Sequence, residues 1–168
     1  MSERRDMASP SLMPAPTIRH GGVGDLDGVI EVMNAAFDAQ FGERWTRSQC
    51  AGILPMSGVE LRIASLGASA PIGFSLMRTV ADEAELLLIA VAPEARRRGI
   101  GQALLEDFID RAIADGARHL HLEVRDGNPA IRMYHAAGFA VAGRRHEYYH
   151  GANGGHHDAL TLRKTVES

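Results

Sequence analysis

Hydrophobic positions along the chain follow two periods in turn. Leu26, Val29, Ile30, Met33 and Phe37 recur at helical spacing, and Asp25 and Asp27 put negative charge where the first turn of such a helix leaves its amides open. A short strand, "PTIRH", precedes this helix. Thr46 is placed to cap a second, shorter helix that runs to about Leu54. "VELRIAS" and "PIGFSLMRTVA", joined by the Gly- and Ser-containing "LGASA", predict an antiparallel pair. The turn at Asp82-Glu83 leads into "AELLLIAVA", a run so uniformly apolar that it predicts a central strand, ended by Pro93.

The second half alternates more sharply. A helix from about Ile100 carries Leu104, Leu105, Phe108, Ile109, Ala112 and Ile113 on one face and stops at Gly116. In "RHLHLEV", Leu120, Leu122 and Val124 point one way while His119, His121 and Glu123 point the other. Asn128 then stands as N-cap and Pro129 as first residue of a helix that Gly138 terminates. Two final strands, about Phe139 to Tyr149 and His156 to Thr165, flank the glycine-rich "HGANGGHH". Helices following the first, fourth and fifth strands predict an α/β fold with a mixed sheet of about seven strands and about four helices.

Composition narrows the class without naming a chemistry. The 168 residues suit one domain, expected over 16–166 behind a polar, proline-bearing leader at 1–15. A formal net charge of -3 argues against general nucleic-acid binding. The longest apolar run, Ala84 to Pro93, contains Glu85 and falls well short of the ~20 residues that span a bilayer. The leader lacks the apolar stretch of a secretory signal, so the expected location is cytoplasmic, with no membrane partner. Cys50, the only cysteine, is expected to be a buried filler. Four of the eight histidines, His146, His150, His156 and His157, gather near the last hairpin, but the flexible "GANGG" among them argues against a metal site.

Chemistry concentrates in "VAPEARRRGIGQALL". Helix N-termini attract anions through unpaired amides. Gly99 and Gly101 let a phosphate approach the backbone, and Arg96, Arg97 and Arg98 add charge around it. The stretch is neither a Walker loop nor a dinucleotide fingerprint, since GxxxxGK(S/T) and the third glycine of GxGxxG are both missing. A glycine helix start with a solvated basic turn is the other reading. Glu123, at a strand end, is either a general base, its pKa moved toward neutrality by partial burial, or a salt-bridged glutamate. Tyr134 is either a proton donor or a core tyrosine. Asn128 is fully explained by capping, and Tyr148-Tyr149 by an ordinary edge-strand pair.

"RRRGIG" matches the Q/R-x-x-G-x-G/A signature of the GNAT superfamily of acyl-CoA-dependent N-acyltransferases, and it follows an apolar strand as that signature does. "LLIAVAPEARRRGIGQALLEDFID", "LHLEVRDGN", "YHAAGF", "RRHEYY" and "DALTL" resemble, in order and spacing, the ribosomal-protein alanine N-acetyltransferases over about Ala84 to Leu162. The resemblance implies a single GNAT-like domain whose splayed central strands hold acetyl-CoA as co-substrate. Ile89, Ala90 and Val91 would grip the pantetheine arm by main chain, and the Val91 amide would serve the developing oxyanion. Arg96, Arg97, Arg98, Gly99, Ile100, Gly101 and Gln102 would surround the diphosphate. It further implies Glu123 as general base, Tyr134 as general acid and a cofactor contact at Asn128, though Asn128 to Tyr134 is one residue shorter than in that pattern. Trp45, Tyr148 and Tyr149 would border the acceptor. The implied acceptor is a protein N-terminal amine, such as that of a ribosomal protein. A polyamine or antibiotic acetyltransferase and a non-catalytic acyl-CoA-binding module are the alternatives.

Overall fold

The computed structural model describes residues 15–167. Apart from Ala15, the leader expected at 1–15 lies outside the described residues. Seven strands form one sheet in the order β1-β2-β3-β4-β5-β7-β6. They are β1 (Pro16–Gly21), β2 (Val59–Leu66), β3 (Gly73–Val80), β4 (Glu83–Val91), β5 (His119–Arg125), β6 (Ala140–His150) and β7 (His156–Thr165). Four α-helices accompany them: α1 (Leu26–Ala36), α2 (Arg47–Ile53), α3 (Ile100–Ala114) and α4 (Ile131–Ala136).

All strand neighbours are antiparallel except β4 and β5, which run parallel. A parallel pair needs a crossover, and α3 supplies it. The helix buries Leu105, Phe108 and Ala112 with Leu86, Leu120, Leu122 and Leu162, and Leu104 with Ala64 and Ala92. Each fully buried side chain of that size contributes roughly 1.5–3 kcal/mol. On the other face α1 lays Leu26, Val29 and Met33 over Leu61, Ile63, Phe74 and Leu76. Thr46 caps α2 by accepting from the Gln49 amide, and the Gln49 side chain reciprocates on the Thr46 N–H.

Two features of β4 place the site. Leu86 pairs with Met77 and Leu88 with Leu76, so Leu87 is an extra residue, a β-bulge. A one-residue insertion exchanges the faces of everything beyond it. Ala84 and Leu86 accordingly pack with α3, whereas Leu88 and Ala90 pack with α1. The parallel ladder also stops early: its last pair is Leu86 with Leu122, after which β4 and β5 diverge.

Several boundaries differ from the sequence reading. Phe37 follows α1 in an extended conformation, and Ile113 is exposed on α3. Helix α4 starts at Ile131, later than Pro129, because Asn128 turns first: its side-chain oxygen accepts from the Ala130 amide at 2.8 Å and its carbonyl from Ile131 at 3.1 Å. Cys50 is buried among apolar neighbours, as expected.

Candidate active site

The divergence of β4 from β5 opens a cleft of about 770 Å³. One wall is Leu87 to Val91, the other Glu123 and Arg125, with Asn128, Met133 and Tyr134 beyond it. Past Leu86 and Leu122 neither strand has the other as a ladder partner, which leaves main-chain groups facing the gap. The Ala92 amide donates to Ile72 at 2.7 Å on the β3 side, so alternation along the strand turns the Val91 amide into the split.

The N-terminus of α3 forms one end of the cleft. The Ala103 amide bonds back to Gly99 O at 2.9 Å, and the amides of Ile100, Gly101 and Gln102 precede this first helical bond. Gly99 has φ 74°, where a side chain would be strained, and a Cβ added there would meet open space. Arg97 shares the left-handed region at φ 65°, and a loop of this kind turns successive amides toward one side. The arginines divide. Arg97 lines the cleft, whereas Arg98 is exposed and lies off it. Arg96 lines the cleft but donates to Ala36 O at 3.0 Å, strapping the loop to the C-terminal end of α1.

Glu123 projects from β5, its side chain only 15% exposed. Thr161 on β7 donates its hydroxyl to the carboxylate, with Oγ1 3.0 and 2.9 Å from the two oxygens, and Arg145 Nε lies 3.1 Å from Oε1. Tyr134 is buried, its ring edge-on to Phe139 at 6.2 Å, and its hydroxyl makes no hydrogen bond among the described residues. Desolvation, aided by the Glu43 charge, pushes its pKa far up, so the phenol keeps its proton.

Tyr149 also enters the cleft, and burial raises its pKa likewise. Irregular pairing between Arg145 and Tyr149 brings it there. Glu147 adopts φ 50°, and its amide donates to Asp158 at 2.9 Å. Tyr148 instead lies outside, with the Arg145 guanidinium 5.4 Å from its ring centre. Trp45 packs against the α1 core and does not line the cleft. The histidines stay near the hairpin, His150 edge-on to His156 at 4.4 Å and His157 against Phe41 at 5.3 Å.

A third group in the cleft escaped the sequence reading. Glu43, from the segment between α1 and α2, receives Arg125 Nε at 3.1 Å and Asn128 Nδ2 at 2.9 Å. Arg125 in turn lies over the Phe41 ring, 3.8 Å from its centre. Both ends of the Asn128 amide are thereby engaged. The same segment packs backbone to backbone on the β6–β7 hairpin. A Cβ at Gly42 would fall 2.2 Å from His150 O, and one at Gly151 1.7 Å from Gln40 O. Only glycines permit that contact. Extending the β5 alternation by one step places Arg125 beside Glu123, but no periodicity marks Glu43.

A sheet split between parallel strands, with a glycine-led helix N-terminus at one end and a carboxylate and phenol in the gap, defines the architecture of acyl-CoA-dependent acetyltransferases. The chain belongs to the acetyltransferase (GNAT) family, whose model matches residues 30–139. It is 44% identical over 90 residues to the ribosomal protein bS18-alanine N-acetyltransferase of Salmonella typhimurium, covering 53% of this chain and 60% of that relative. The chain thus matches less than two thirds of that relative's length. The crystal structure of the Escherichia coli ribosomal-protein-S18-alanine N-acetyltransferase superposes with TM-score 0.80 at 29% identity, over 92% of this chain and 96% of that one. Arabidopsis thaliana NAA60 in complex with acetyl-CoA shares the fold, with TM-score 0.78 at 19% identity over 92% and 100% of the two chains. Among the described residues no helix is long and apolar enough to cross a membrane.

Proposed function

We propose that this protein transfers the acetyl group of acetyl-CoA to the α-amine of a protein N-terminus, with Glu123 as general base and Tyr134 as general acid. The observation that carries the reading is the convergence of both side chains on the cleft that ends at the α3 amides. The names of the relatives point to a ribosomal protein as the class of acceptor, and a cytoplasmic setting goes with that reading.

The residues fit acetyl-CoA. Amides at 100–102, Arg97 and the space beside Gly99 suit a diphosphate, and the main chain of Ile89 to Val91 suits an extended amide-bearing arm. When bound, acetyl-CoA supplies the activated thioester. Glu123 takes a proton from the ammonium group, directly or through water. Tyr134, neutral because it is buried, gives its proton to the departing thiolate. The Val91 amide donates toward the carbonyl oxygen as it gains charge. Glu43, Arg125 and Asn128 brace the wall between these groups and the α1–α2 segment.

An α-amine suits a single carboxylate base. Its pKa of about 7.7–8.0 leaves roughly a tenth of it neutral at pH 7, against well under a thousandth of a lysine amine. The test is thiol release from acetyl-CoA with four acceptors: a peptide with a free N-terminal alanine, its N-blocked lysine-containing counterpart, spermidine and an aminoglycoside. The free α-amine should give the highest kcat/KM at pH 7.5. A tenfold preference for any of the others would overturn the acceptor, and no turnover with a broad peptide and amine panel would favour a binding module.

A further inference from the structure

Glu123 pairs with Thr161 across the antiparallel β5–β7 ladder, and Thr161 pairs in turn with Gly143 on β6. Gly143 has no side chain to place over Thr161. Arg145, two residues further along the same face of β6, can therefore lean over β7 through that gap, and its Nε reaches Glu123 Oε1 on β5 at 3.1 Å. The other charged groups near Glu123 are committed elsewhere. Arg125 pairs with Glu43 at 3.1 Å, His121 lies 3.8 Å from Glu85, and Arg163 lies 3.4 Å from Glu83. Tyr149, from β6, is held neutral by burial. Glu43 and Asp38 are the other carboxylates lining the cleft; Glu43 already receives Arg125 and Asn128, and Asp38 accepts from Gln40. Thr161 and Arg145 alone hydrogen-bond or ion-pair with the Glu123 carboxylate among the described residues.

We infer that Thr161 and Arg145 are positioning residues for the reaction: they hold the Glu123 carboxylate aimed into the cleft, toward the place of the acceptor amine. This rests on the reading of Glu123 as base. Two tethers fix the direction of the carboxylate, so removing either lets it swing off the line of the acceptor amine. The two contributions differ in kind. The Arg145 side chain is 61% exposed, so salt screens its effect, whereas the short Thr161 bond is local and persists.

The experiment measures kcat and KM on the best amine from the acceptor panel, with acetyl-CoA affinity by calorimetry, in Thr161→Val, Thr161→Ser and Arg145→Gln. Thr161→Val, which preserves shape and strand preference, should lower kcat about tenfold, with acetyl-CoA affinity and Tm at the parent values. Arg145→Gln should lower kcat by less, and its difference from the parent should shrink in ~1 M salt, where the screening length is about 3 Å. Thr161→Ser restores the donor and should recover the parent kcat. Parent kcat in both Thr161→Val and Arg145→Gln overturns the inference, as does a loss in Thr161→Val that Thr161→Ser does not restore. Glu123→Gln turning over at the parent rate overturns the base reading instead.

Discussion

Separating Glu43 from Arg125 should loosen the wall of the cleft by a measurable amount. Both side chains are nearly enclosed, 10% and 11% exposed, with Nε 3.1 Å from Oε1. Removing one partner of a fully buried pair costs about 3–5 kcal/mol, because the other charge stays desolvated. Here each survivor keeps some company: Arg125 retains the Phe41 ring at 3.8 Å and Glu43 retains Asn128 at 2.9 Å. We therefore expect about 2 kcal/mol for Glu43→Ala. Arg125→Ala should cost about 1 kcal/mol more, since it also removes the cation over the ring. At ~2–4 °C per kcal/mol for a chain of this size, Tm should fall by about 4–8 °C in the first variant and further in the second. Guanidinium unfolding of both single variants and the double variant closes the cycle. The double variant should be more stable than additivity allows by about 1–2 kcal/mol. Additivity within ~0.5 kcal/mol would show that the pair contributes nothing, and that backbone contact at Gly42 and Gly151 alone holds the segment.

Gly101→Ala places a Cβ 3.4 Å from Met133 Sδ and 3.7 Å from Val91 Cγ2, ordinary contacts inside the cleft, so calorimetry should show acetyl-CoA binding weakened about tenfold, a loss of roughly 1.4 kcal/mol, with Tm unchanged. Gly99→Val is a poorer probe of the same cradle: at φ 74° a β-branched residue strains the backbone, and a loss of stability should accompany any loss of binding. Tyr134→Phe removes a hydroxyl with no hydrogen bond among the described residues, so Tm should hold while thiol release slows by about 10²-fold; a parent rate would assign the proton to another group. Tyr134 and Tyr149 both have folded pKa values raised above the unfolded value near 10. The stability linked to them is therefore complete below about pH 10 and lost as pH rises beyond it, and unfolding midpoints measured from pH 8 to 11 should fall only at the upper end.

The fold was legible wherever one periodicity dominated. Strict alternation in β5 put Leu120, Leu122 and Val124 into the core and left Glu123 on the opposite face, where the structure has them. The apolar run of β4 was legible as a central strand for the opposite reason, being covered on both faces. That uniformity also concealed the bulge at Leu87. A bulge is visible in sequence only as a break in alternation, and where each neighbour is Leu, Ile, Ala or Val there is no alternation to break. The cofactor end was legible because its chemistry is local, with Gly99, Gly101 and Arg97 lying within five residues of the helix start they serve. Local sequence did not reveal that Arg96 would turn to Ala36, since its acceptor lies 60 residues away.

The other end of the cleft shows the limit of sequence spacing most clearly. Glu43 meets Arg125 across 82 residues and Asn128 across 85, and Thr161 meets Glu123 across 38. These meetings follow from the sheet order. Placing β7 between β5 and β6 brings Thr161 alongside Glu123, and the splay of β4 from β5 admits the α1–α2 segment over the gap. No window of neighbouring residues encodes that order, so the sequence could mark Glu123 as a carboxylate facing away from the core without naming its partners. Tyr148 and Tyr149 illustrate the same dependence within two positions. Adjacent strand residues face opposite ways, but which one enters the cleft is decided by the irregular pairing around Glu147, fixed by a hydrogen bond to Asp158 eleven residues on. The chemistry of this end is therefore a property of the strand order, and a variant such as Thr161→Val probes it at a position whose own stretch, "DALTL", does not name its partner.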